Sequence, residues 1–337
     1  MSQAEPLSLS RRRVLSLRPR RQGDDYWIRV HRRAMACRFE VALSGADGAW
    51  VPAARAALDE VDRIEDALTV FRDTSALVRV NRLAGCEPVA VEEDLFALLL
   101  RCRELHAATD GAFDITSTPL SRTWGFLARA GRLPAPAEIT AARARVGMDH
   151  VELDEARRTV RFRRPEMELN LGSIGKGYAL FRMAEVLRRA GVAEALLSAA
   201  GSSVLALGGR GRGFRIDLRS RLVRRSRLGA LWLRDGALGT SGAGEQFVEV
   251  DGVRYGHVLD PRTGWPASGV LSATVVAADP ALADALSTAF LVGGVDLARR
   301  YCAAHAPRVL ALVTPDDGSE RPHVFGSYAG AILAEDP

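Results

Sequence analysis

The sequence predicts an α+β protein, in which mixed or antiparallel sheets pack against helices in two intimate subdomains. Three observations carry this. Residues 37–43 alternate, with Phe39, Val41 and Leu43 on one face. Several longer stretches instead repeat apolar residues at three- and four-residue steps. Residues 195–256 hold short apolar runs broken by turn signals such as GGRGRG and DG. Hairpins interleaved with long helices do not make the regular alternation of a parallel α/β fold.

The elements follow in order. Residues 1–24 read as a basic, disordered tail ahead of one domain over 25–330. The chain of 337 residues carries 46 Lys+Arg against 41 Asp+Glu. Residues 1–21 hold six arginines and a single acid, Glu5, which leaves forty of each sign elsewhere. The body is neutral, and the arm lacks interleaved aromatics, so nucleic acid is not expected as a partner. The tail reads as a solvated arm, the alternative being contact with an anionic surface. Ser10-Arg11-Arg12-Arg13-Val14-Leu15 resembles the opening of a twin-arginine signal, but SLRPRRQGDDYW follows in place of an apolar region. No uninterrupted apolar run approaches about 18 residues. The expectation is a cytoplasmic protein without an integral membrane segment, or an exported one if the start is mis-assigned. Cys37, Cys86, Cys102 and Cys302 form no CxxC pair and read as small apolar side chains.

Residues 27–43 read as strand. Residues 52–71 predict a helix, with Ala57, Leu58, Val61, Ile64, Leu68 and Phe71 in phase, and 92–108 predict a second. A loop over 109–120 and a Pro-rich connector over 133–139 lead to a short helix, then strands near 150–154 and 159–163. Leu169 and Leu171 read as the end of a strand, and 177–190 as a helix stopped by Gly191. Residues 279–294 predict a helix with Asp279 as N-cap and Pro280 at its first position. A strand over 309–313 and a loose end close the chain.

Five stretches could carry chemistry. LNLGSIGKGYAL, residues 169–180, holds the chain's one lysine, Lys176, against 45 arginines. Its glycines allow a ligand to approach the backbone, and a helix N-terminus attracts phosphate. The spacing is not that of a Walker A loop. In ALADALSTAFLVGG, residues 281–294, Asp284 and Thr288 stand four apart on one face of an apolar helix. A buried carboxylate needs a partner: a hard cation such as Mg²⁺, or one of the many arginines. GHVLDPRTGWP, residues 256–266, offers His257 as a general acid or base. LGTSGAGEQF, residues 238–247, offers Ser241 in a small-residue loop; it is not a GxSxG elbow. TDGAFDITSTPL, residues 109–120, clusters Asp110, Asp114, Thr116 and Ser117. It is either an ordinary capped turn or an aromatic and a carboxylate facing a planar ligand.

Taken in this order with MACRFEV and FRDTSALVRVNRLAG, these stretches resemble the FAD:protein FMN transferase (ApbE flavin transferase) family from about Met35 to Gly294. The resemblance implies an ApbE-like, T-fold-like domain. It also implies a Mg²⁺-dependent enzyme that takes FAD as substrate, attaches FMN to a Ser or Thr of an acceptor protein and releases AMP. Gly175 (through its carbonyl), Asp284 and Thr288 would hold Mg²⁺. Met35, Phe71, Ala112, Phe113, Asp114, Gly172, Lys176, Tyr178, Ser241 and His257 would line the FAD site. His257, or in competition Asp114, would take the attacking hydroxyl's proton. Alternatives are an FAD pyrophosphatase giving FMN and AMP, or a non-catalytic FAD-binding protein. The chain departs from the family pattern at several positions. Acids are common where it has Asn170, Phe181 and Ser203; glycine is usual at Ser173, alanine at Gly175 and tyrosine at Phe71.

Overall fold

The computed structural model describes residues 15–16, 27–128, 130–209, 211–219, 227–244, 246–319 and 321–334. Its helices are α1 (Val51–Leu68), α2 (Ala76–Leu83), α3 (Glu93–Ala108), α4 (Thr118–Thr123), α5 (Pro136–Arg143), α6 (Gly175–Arg189) and α7 (Pro280–Ala304). Eight strands form one antiparallel sheet. Its order is His323–Gly326, Val309–Pro315, Val270–Ala277, Gly236–Gly242, Ser203–Leu207, Ala195–Ala199, Cys37–Ser44 and Trp27–Ala34.

The large sheet is covered on both faces. Alternate residues, among them Val41, Leu43, Leu197, Leu205 and Val275, join the main core with α1, α6 and α7. The residues between them, such as Ala42, Leu196, Val204 and Val276, pack on Phe214, Ile216, Leu218, Leu231 and Leu233 of a smaller sheet. Double burial explains why Ala195–Ala199 reads ALLSA, without polar alternation. A third cluster gathers Leu120, Trp124, Ile139, Ala142, Val146 and Leu259 around α4 and α5.

Several expectations change. Residues 27–43 are two strands, since Met35 and Ala36 both take positive φ (48° and 55°) and close a hairpin with Ala34 opposite Cys37. The turn has the left-handed geometry of a type I′ connection without the usual Asn-Gly, so the sequence carried no break. Leu169 and Leu171 lie outside any strand. Their segment is pinned instead by Asn81, whose amide donates to the Leu169 carbonyl at 3.0 Å while its Oδ1 accepts from the Leu169 amide at 2.8 Å. α7 passes the glycine pair read as its end. Gly294 breaks the helical geometry (φ 79°), after which Leu297, Ala298, Tyr301 and Cys302 continue the buried face. By length and composition α7 could cross a membrane, yet it is mostly buried within the protein. The supposed loose end supplies two edge strands, His323–Gly326 and Ala331–Leu333. Within the supposed tail, Leu15–Ser16 pairs with Asp217–Leu218; the rest of 1–24 lies outside the described residues.

Candidate active site

Two close approaches build the centre. A Cβ on Gly177 would fall 2.1 Å from the Pro280 carbonyl oxygen, and one on Gly239 would fall 2.6 Å from the Ala283 carbonyl. Only glycine lets the start of α6 and the strand Gly236–Gly242 meet the first turns of α7 this closely. α7 itself starts as the sequence indicated, with the Asp279 carboxylate accepting from the Ala281 amide at 2.7 Å.

Asp284, on the second turn of α7, is 3% exposed. Its Oδ2 accepts from the Gly177 amide at 3.0 Å, and its Oδ1 accepts from the Ser203 hydroxyl at 2.7 Å. Gly177 N–H is one of the amides that a helix leaves unpaired at its start, and α6 has no side-chain cap of its own. Asp284 therefore caps α6 from another helix, where the helix dipole also favours its charge. The cation beside it is Lys176, with Nζ 3.7 Å from Oδ2. Among the described residues the positive charge beside Asp284 is not one of the arginines the sequence offered but the chain's single lysine.

Thr288 stands one turn further along α7, its Oγ1 3.1 Å from Ser241 Oγ, which is 2.8 Å from Ser287 Oγ. The Met35 methyl lies 3.0 Å from where a Gly175 Cβ would be. Met35, Gly175, Lys176, Ser241, Asp284 and Thr288 thus form one connected set. Carboxylate, hydroxyl and backbone carbonyl are hard oxygen donors, and a single carboxylate leaves most of a magnesium shell to water and phosphate, so the donor chemistry fits that ion. No cluster of three His, Cys, Asp or Glu side chains suited to a metal occurs among the described residues.

Asp114 belongs to a second group. Its Oδ1 accepts from the Thr116 amide at 2.7 Å and the Thr116 hydroxyl at 2.6 Å. Its Oδ2 accepts from the Met148 amide at 3.3 Å and faces His106 Nδ1 at 3.3 Å. His106 Nδ1 also lies 3.2 Å from the Phe113 carbonyl. Burial alone would lower the His106 pKa; Asp114, through its hydrogen bond and charge, outweighs that and raises it. Ala112 and Phe113 are each 1% exposed and packed in the main core. The Phe113 ring is therefore a core side chain and not an aromatic turned toward a planar ligand. A cavity of about 410 Å³ brings this loop, through Asp110, Gly111 and Asp114, together with His106 of α3 against Pro261 and Arg262 of the DPRTG turn.

His257 follows the hairpin of Phe247–Val250 and Val253–Gly256, its ring edge-on to Phe126 at 6.4 Å. Its Nδ1 lies 3.2 Å from the Gln246 carbonyl. A carbonyl can only accept, so this contact favours the tautomer that carries its proton on Nδ1. The remaining site residues are dispersed. Phe71 is 76% exposed beyond α1. The Tyr178 hydroxyl accepts from Arg182 at 3.2 Å. The Gly172 amide donates to Asn170 Oδ1 at 2.8 Å. The Asn170 amide donates to the Ile115 carbonyl at 2.8 Å, which sets the Gly-rich loop beside the 112–115 loop. Asn81 and His106 were not singled out by the sequence, and Ser203 stood out only as a departure from the family pattern.

Fold and donor set define an α+β protein with an oxygen-rich, lysine-bearing centre where two helices begin. A family model described as the ApbE family matches residues 35–313, and the chain belongs to that family. A Vibrio cholerae protein named FAD:protein FMN transferase is 32% identical over 281 residues, covering 81% of this chain and 82% of its own length. A Klebsiella pneumoniae protein of the same name is 34% identical over 246 residues, covering 72% of this chain and 75% of its own. The solved ApbE protein of Thermotoga maritima superposes with a TM-score of 0.79 at 28% identity, covering 90% of this chain and 97% of its own. The flavin transferase ApbE of Vibrio cholerae gives 0.78 at 26% identity over the same shares.

Proposed function

We infer that the chain is an FAD:protein FMN transferase, using FAD as substrate and a Ser or Thr hydroxyl of another protein as acceptor. The name carried by its relatives supports this, as does family membership over residues 35–313. The observation that carries it is the Lys176–Asp284–Thr288 centre, a phosphate-compatible cation beside hard oxygen donors.

In this reading the acceptor oxygen attacks the phosphorus of the FMN half of FAD. A new P–O bond forms, the bond to the bridging oxygen breaks, and AMP leaves with that electron pair. Nε2 of His257 takes the hydroxyl proton. Asp114, whose oxygens already accept three hydrogen bonds and face His106, holds its loop rather than accepting that proton. The Lys176 ammonium lies against the pyrophosphate and balances Asp284. Asp284, Thr288 and the Gly175 carbonyl would hold Mg²⁺, which when bound neutralises charge on the pyrophosphate.

The test is incubation with FAD, Mg²⁺ and an acceptor bearing a Ser/Thr flavinylation motif, reading AMP release and acceptor mass. Acceptor gain of FMN with AMP release, abolished by EDTA, is the expected result. Free FMN without acceptor gain would move the assignment to a pyrophosphatase. FAD binding with no AMP would leave a non-catalytic flavin binder.

A further inference from the structure

We propose that Ser241 is a positioning residue that fixes the Thr288 hydroxyl as an oxygen donor toward a divalent cation, a role that rests on the cation site proposed above. The argument is one of proton accounting. Each Ser or Thr hydroxyl has one proton to donate. Ser287 Oγ lies 2.8 Å from the Asp284 carbonyl oxygen, which can only accept, so Ser287 spends its proton there. In the 2.8 Å contact between Ser241 and Ser287, Ser241 must then be the donor. Its proton is used, so in the 3.1 Å contact with Thr288 the donor is Thr288. The chain of donation runs from Thr288 to Ser241 to Ser287 to the Asp284 carbonyl. It turns the Thr288 proton toward the sheet and leaves the oxygen lone pairs for a ligand.

The competing outlet for the Thr288 proton is the same Asp284 carbonyl at 3.5 Å, the outer limit of a hydrogen bond, where Ser287 already sits closer. The strand that carries Ser241 is held rigidly. Ser241 pairs with Ala273, and two residues earlier Gly239 lies directly against the Ala283–Asp284 backbone. Ser287 is fully buried, which closes its hydroxyl to exchange with solvent. Without Ser241 the Thr288 O–H loses its good acceptor and is released to point at the cation position, where a proton opposes ligation. Groups that orient metal ligands in this way are worth substantial affinity although they never touch the metal.

The experiment is Mn²⁺ binding to the FAD-free full chain, followed by loss of the free-ion electron paramagnetic resonance signal. Wild type is compared with Ser241→Ala, Ser241→Thr and Asp284→Ala, with thermal melts run alongside. Ser241→Ala is expected to weaken Mn²⁺ by about tenfold. Ser241→Thr, which keeps the hydroxyl, should restore most of it, and Asp284→Ala should abolish it. The Mg²⁺ concentration for half-maximal AMP release should rise in step. Wild-type Mn²⁺ affinity in Ser241→Ala, with loss in Asp284→Ala, would overturn the relay and leave the cation site standing. Equal loss in Ser241→Ala and Ser241→Thr, with melts unchanged, would also overturn it, since packing would then be the cause. Unaltered binding in Asp284→Ala would remove the cation site and this role with it.

Discussion

The Gly177 amide donates to Oδ2 of Asp284 at 3.0 Å, joining residues 107 positions apart. That bond caps α6 with a carboxylate from α7 and places Lys176 alongside. It exists only because the two helices nearly touch: a Cβ at Gly177 would meet backbone, at 2.1 Å from the Pro280 oxygen. Gly177→Ala must push α6 from α7. The expected cost is at the upper end of the usual overpacking range, about 2–3 kcal/mol. Urea or thermal unfolding measures it, and a variant as stable as wild type would mean that the helices separate freely.

Lys176→Arg tests why the one lysine is there. A guanidinium is larger, planar and prone to a two-point pair with Asp284, so it would draw the carboxylate from the Gly177 amide and the Ser203 hydroxyl that now hold it. The fold should be kept, with kcat/KM for FAD lowered by about tenfold or more, a loss of about 1.4 kcal/mol in transition-state stabilisation. Full activity would show that any cation serves.

Ser203 stands where the family resemblance leads one to expect an acid, and its hydroxyl satisfies Asp284 Oδ1 at 2.7 Å. Ser203→Ala leaves that buried oxygen short of a donor, at a cost of about 1–3 kcal/mol. Ser203→Asp sets two carboxylates side by side. The metal-free protein should melt lower at neutral pH than wild type, and added Mg²⁺ should return more of the loss than it does for Ser203→Ala. Equal Mg²⁺ responses would count against the cation site.

If Nε2 of His257 takes the acceptor proton, His257→Ala should lower kcat for FMN transfer by about a hundredfold or more. FAD affinity, read by flavin fluorescence, should stay within about twofold of wild type, because the ring is assigned to the proton and not to holding FAD. A matched fall in FAD affinity would make His257 a binding residue instead.

How legible all this was depends on what decides each feature. The Asp279 cap, the α7 face carrying Asp284 and Thr288, and the helix after Gly175 are set by local residue order, and each stood in the sequence. The Met35–Ala36 turn did not, because its strained backbone is imposed by pairing of the flanking strands rather than by turn residues. Ala195–Ala199 gave no alternation because both its faces are buried. Within the site, spacing placed Asp284 beside Thr288, but its partners Gly177 and Ser203 come from α6 and another strand. Only tertiary packing brings them in, and only packing shows that Phe113 belongs to the core.

The pH dependence of stability follows from His106 and its surroundings. The ring faces Asp114 at 3.3 Å and the Phe113 carbonyl at 3.2 Å, with Asp149 contributing at longer range. Arg262 borders the same cavity, but Asp260 engages it at 2.9 Å. The folded-state pKa is raised above the ordinary 6.5, so the folded protein holds this proton more tightly than the unfolded chain. Stability from the charged pair is therefore fully present below pH 6.5 and is lost as pH rises through the folded pKa. His106→Gln can keep one hydrogen bond but cannot carry the charge. The melting temperature of wild type should exceed that of His106→Gln by more at about pH 5.5 than at about pH 8.5. A gap independent of pH would place the contribution of His106 in packing and neutral hydrogen bonds alone, while a gap that widens with pH would reverse the sign of its coupling to Asp114.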